Sequence, residues 1–65
     1  MNHPRRSVYR SFVRSTARAL FGARRADRWL ARSNEHLGGH APLTVASDLR
    51  GAERVLAELT RSKSK

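Results

Sequence analysis

Apolar side chains recur three and four residues apart along most of the chain, interrupted by glycines and polar runs. Over residues 5–21, Val8, Tyr9, Phe12, Val13, Thr16, Ala19 and Leu20 fall within one arc of about 140° at helical pitch. Arg6, Arg10, Arg14 and Arg18 recur every fourth residue on another side of that helix. Gly22 is expected to close it from the position just past the last helical residue. A second helix over 23–33 sets Ala26, Trp29 and Leu30 on one face, with Arg24, Arg28 and Arg32 outside. Residues 34–41 read as a loop in which Asn34 and Gly38-Gly39 supply left-handed backbone. Pro42 fits the first position of a short turn through Ala46. Asp48 is placed to cap a last helix by reaching the N–H of Gly51. That helix carries Leu49, Ala52, Val55, Leu56 and Leu59, and residues 61–65 read as a frayed, flexible basic tail. The fold expected is all-α, a small compact bundle of about four short helices.

A chain of 65 residues buries only about 60% of its unfolded surface. Nine of its 25 apolar residues are alanine, so one small core is the ceiling. That excludes an enzyme scaffold with a deep, dry pocket. No apolar run reaches the roughly 20 residues that span a bilayer. The absence of cysteine removes disulfides and thiolate metal sites, and fits a reducing, cytoplasmic setting.

Charge divides the chain. Residues 1–33 hold nine Arg against Asp27 alone, whereas residues 34–65 hold five basic and four acidic side chains. Twelve of the fourteen cations are Arg, which pairs bidentately with phosphate or carboxylate and stacks on aromatic rings. A GC-rich genome produces the same Arg and Ala bias. An Arg-rich start also resembles a mitochondrial presequence, but helical signals continue past it without a cleavage boundary.

Reaction chemistry is not legible. The acids at 27, 35, 48, 53 and 58 are scattered, and no Ser sits in a strand–turn–helix elbow. His36 and His40 are four apart, but Gly38-Gly39 breaks any helix between them and no third ligand is evident. No catalytic residue, cofactor or metal is therefore expected, and Gly38-Gly39 reads as a turn rather than a phosphate loop.

The order of residues from Ala19 onward is more specific. Ala19-Leu20-Phe21-Gly22, Ala26-x-x-Trp29-Leu30, Asn34-x-x-Leu37-Gly38, Pro42-Leu43 and Gly51-x-x-x-Val55-x-x-x-Leu59 follow one another at short spacings. This series resembles the toxin-binding domain of the Xre/MbcA/ParS antitoxin family over about residues 17–60. The resemblance makes Ala26, Trp29, Leu30, Pro42, Gly51, Val55 and Leu59 fold-defining positions. It divides the chain into a basic N-terminal portion (1–18), the toxin-binding domain (19–60) and the tail (61–65). It implies a non-catalytic module of a bacterial toxin–antitoxin system that neutralises a RES-domain toxin, similar to NAD-consuming ADP-ribosyltransferases. By resemblance, the C-terminal end blocks the toxin's NAD pocket. Members commonly carry an N-terminal helix-turn-helix, for which the residues before the match leave no room. They also commonly continue past the last helix with an apolar residue and a glycine, where this chain has Thr60-Arg61-Ser62-Lys63-Ser64-Lys65.

Two surfaces are candidates for binding. Arg54, Glu58, Arg61, Ser62 and Lys63, on the last helix and tail, are the expected partner contacts. The alternative is non-specific nucleic-acid binding through the Arg stripes of the first two helices, with Arg6, Arg10, Arg14 and Arg18 on phosphates. Trp29 is expected in the core rather than under a base. A membrane-surface role for the first helix is disfavoured, because the core needs its apolar face.

Overall fold

The computed structural model describes residues 4–64, and the side chains of residues 7–63. Four helices follow one another: α1 (Pro4–Phe21), α2 (Ala23–Ala31), α3 (Pro42–Val45) and α4 (Leu49–Ser64). A 3-10 turn, Glu35–Leu37, lies between α2 and α3. Among the described residues the sole strand-like feature is an isolated bridge between Asn34 and His40. Helix α1 packs along α2 and α4, and α3 closes the gap beside α2 and α4. The Cα radius of gyration is 11.0 Å, close to the ~11 Å of a packed chain of this length.

Each break between helices has a local cause. Gly22 adopts φ 87°, ψ 157°, a region that only glycine enters readily. Its N–H donates to the Arg18 carbonyl at 2.9 Å and its carbonyl accepts from Ala26 N–H at 3.0 Å. One residue thus ends α1 and begins α2. The second helix stops at Ala31, two residues before the expected Ser33, because Arg32 turns extended.

The following loop is tied through Asn34. Its side chain accepts from His36 N–H at 2.9 Å, and its carbonyl accepts from Leu37 and Gly39 N–H. Asn34 itself is extended (φ −129°) rather than left-handed, and the reversal is made by Gly38 at φ 72° and Gly39 at φ 81°. Pro42 opens α3, and its ring is buried. The Asp48 carboxylate accepts from Gly51 N–H at 2.7 Å, which caps α4.

The buried core comprises Val13 and Ala17 of α1, Ala26 and Leu30 of α2, Leu37, Ala46, and Ala52, Val55 and Leu59 of α4. Four of these nine are alanines, so helix backbones approach closely. At Gly51 the approach is closest: a Cβ there would overlap the Val45 carbonyl oxygen and lie 2.9 Å from its carbon.

Several expected core positions move outward. Val8 and Phe12 are 61% and 56% exposed, and Ala19 is exposed as well. The buried side of α1 is centred on Val13 and includes Ala17, with Tyr9 and Leu20 packed at its edges. The side of α1 packed on the core runs from Tyr9 through Val13 and Ala17 to Phe21, and Val8 lies about 140° from Val13 around the axis, beyond its edge. Leu49 is 58% exposed, since two successive three-residue steps rotate it about 120° away from Val55. Trp29 is partly buried and packs against the core from its margin. The covered stripe of α2 is Ala26 and Leu30, and the large indole sits at the α1–α2 elbow, its ring centroid 6.2 Å from that of Phe21. The basic tail expected to fray after Thr60 continues as helix to Ser64.

Candidate protein-binding surface

Helix α4 presents the expected partner contacts, and its pitch separates them. Arg54, Glu58 and Arg61 lie within an arc of about 60°, whereas Lys63 emerges about 180° from Arg54 and Ser62 turns toward the packed side. Arg54 and Lys63 are exposed and Ser62 is partly buried. Arg61 Nε lies 3.8 Å from Glu58 Oε1, one turn away, with the side chains 52% and 11% exposed. Arg61 also reaches across to the 3-10 turn, where its Nη2 donates to His36 Nε2 at 2.6 Å. Thr60 Oγ1 donates to the Leu56 carbonyl at 3.0 Å. The last turns of α4 therefore form a ridge on which Arg54 and Arg61 are presented outward, while Glu58 is mostly covered. The five residues are not one contiguous patch.

The Arg series of α1 is likewise divided by its partners. Arg6 lies on α1, but its side chain is outside the described residues. Arg10 and Arg14 are exposed. Arg18 is committed: its Nε donates to Asp27 Oδ1 at 3.1 Å and its Nη2 to Oδ2 at 2.9 Å, a bidentate clamp between α1 and α2. The hydrogen bond from Arg18 holds the Asp27 carboxyl below its ordinary range; desolvation opposes this, and the charges of Arg18 and Arg14 add to it. Reciprocally, the bond to Asp27 and its charge raise the Arg18 guanidinium. Beside the clamp, Arg14, Arg18, Asp27, Leu30, Ala31 and Leu43 line a shallow cleft of about 160 Å³.

A further grouping falls on α2. Arg25, Arg28, Trp29 and Arg32 line a second cleft, of about 210 Å³. The Arg25 guanidinium carbon lies 5.4 Å over the Phe21 ring. The four-residue steps from Phe21 to Arg25 to Trp29 were the available signal, but reading Trp29 as a core residue hides it.

Among the described residues, no three His, Cys, Asp or Glu side chains gather as a metal site requires. His36 and His40 are both exposed. Among the described residues, no helix is long and apolar enough to cross a membrane.

The antitoxin Xre/MbcA/ParS C-terminal toxin-binding domain family matches residues 16–65. The chain belongs to this family. The matched stretch holds every helix after α1 and the C-terminal part of α1, and it includes α4 to its end. The Xre/MbcA/ParS assignment accounts for the bundle and implies a toxin as partner. Comparison with curated proteins and with solved structures finds no match.

Proposed function

We propose that this Xre/MbcA/ParS domain captures and neutralises a RES-domain, NAD-consuming toxin in the cytoplasm, without catalysing any reaction itself. The observation that carries this reading is the family match over residues 16–65, which spans nearly the whole packed core. The choice of a RES toxin follows from the resemblance of the ordered segments between Ala19 and Leu59. Contact is assigned to the C-terminal half of α4, where Arg54 and Arg61 are exposed and able to pair bidentately with carboxylates. Lys63 adds charge on the opposite flank, and Ser62 and Glu58 complete the ridge from its covered side. Arg suits a docking surface because its planar guanidinium pairs bidentately, and the helical backbone of α4 is already ordered before binding.

The test is co-expression with a RES-domain toxin, followed by pull-down and measurement of cellular NAD. Binding with preserved NAD is expected, and NAD depletion despite full expression of both chains would refute neutralisation. Arg54→Ala with Arg61→Ala should weaken capture at least tenfold while leaving the circular dichroism of the free domain intact. Full neutralisation by a chain ending at Thr60 would remove Arg61, Ser62 and Lys63 from the contact.

A further inference from the structure

The outer face of α2 is not used by that reading. Arg25, Arg28, Trp29 and Arg32 surround a single cleft and fall within an arc of about 100°. Their guanidiniums issue from positions three and four apart, so neighbouring ones start about 5–6 Å from each other along the helix. No carboxylate among the described residues pairs with them. Asp27, the one acid of α2, emerges on the opposite side and is occupied by Arg18. Like charges at these spacings repel, and nothing on α2 relieves them.

Aromatic rings alternate with these cations. Arg25 stacks over Phe21 at 5.4 Å, and the Phe21 ring lies 6.2 Å from Trp29, tilted 60° to it. Every polar side-chain group lining the cleft is a donor: three guanidiniums and one indole N–H, with no acceptor. A polypeptide laid into it would bring backbone N–H groups that find no partner among these side chains. A phosphodiester backbone brings acceptors alone, and its bases bring the flat faces that an indole stacks against.

We infer that this face of α2 binds single-stranded nucleic acid, with phosphates on Arg25, Arg28 and Arg32 and a base against Trp29. A single strand is specified because the bases of a duplex are stacked on one another and cannot offer a face. The site differs from the α1 series Arg6, Arg10, Arg14 and Arg18, whose last member is already clamped by Asp27. It is independent of the toxin-binding reading and lies on a different helix from Arg54 and Arg61.

Trp29 is the only tryptophan in the chain, so its fluorescence reports on the cleft itself. The full chain is titrated at low salt with oligothymidylate, with oligoglutamate, and with a DNA duplex of equal length. Saturable quenching by oligothymidylate is expected. Its log K should fall with log salt at about −0.7 per phosphate contact, or roughly −2 for three. The Arg25→Gln, Arg28→Gln, Arg32→Gln triple variant substitutes exposed residues only, and its fold is checked by circular dichroism. It should bind at least tenfold more weakly and lose most of that slope. Absent quenching, or an unchanged slope in the triple variant, overturns the proposal. Equal or tighter binding of oligoglutamate would reassign the cleft to an acidic polypeptide, and tighter binding of the duplex would remove the stacking contact.

Discussion

Substituting Gly51 by alanine sets two opposing effects of known size against each other. Within a helix, Gly→Ala gains about 1 kcal/mol through backbone entropy. At Gly51 the added Cβ would overlap the Val45 carbonyl oxygen and lie 2.9 Å from its carbon and 3.1 Å from the Asp48 carboxylate. The obstruction is backbone at the end of α3, which no change of rotamer relieves. The α3–α4 corner has to open, and the Asp48 cap on the Gly51 N–H is disturbed with it. Overpacking of this kind costs about 1–3 kcal/mol and loss of a cap about 1 kcal/mol. A net destabilisation of about 2 kcal/mol is expected after the helix-propensity gain is subtracted. That is a large fraction of the stability of a small domain, which lies toward the low end of 5–15 kcal/mol (roughly). In urea the midpoint should fall by about 2 M at an m-value near 1 kcal/mol/M. The melting temperature should fall by about 8–16 °C. Equilibrium unfolding followed by far-ultraviolet circular dichroism measures both. Ala57→Gly, at an exposed position of the same helix, measures the propensity effect separately. A Gly51→Ala variant as stable as the wild type would refute the close approach of α3 to α4.

Three further outcomes follow from the packing. Leu30→Ala should cost about 2–5 kcal/mol and more than Trp29→Ala, because Leu30 is buried and Trp29 is not; the reverse order in urea denaturation would return Trp29 to the centre of the core. Gly22→Ala should cost about 1–3 kcal/mol through its φ of 87° alone, as no atom crowds that position, and an unchanged melting temperature would contradict the elbow geometry. The Asp27 carboxyl is held below its ordinary value chiefly by the Arg18 hydrogen bond, so its contribution is complete above the unfolded pKa of about 3.9 and is lost as pH falls through the lower folded value. Asp27→Asn should therefore reduce the acid sensitivity of the urea midpoint below about pH 4, and parallel pH profiles for variant and wild type would show that the clamp contributes nothing to folding.

The course of the chain was legible because its breaks are written in single residues. Gly22, Gly38-Gly39, Pro42 and Asp48 each impose a local backbone geometry that needs no distant partner. The ordered segments from Ala19 to Leu59 were sufficient to indicate the family. What periodicity could not settle was which part of each apolar arc is covered. That depends on where the neighbouring helices lie, and an arc wider than its neighbours leaves its edge exposed, as at Val8, Phe12 and Leu49. Trp29 shows the same limit most sharply. Its size and its place beside Leu30 indicate burial, but α1 and α3 cover the Ala26–Leu30 stripe and leave the indole at the margin among arginines. The link between Arg61 and His36 also arises only once the 3-10 turn is folded against α4. Local backbone preference is encoded residue by residue. Which surface remains for a partner is decided by helix against helix, and only the tertiary structure contains that.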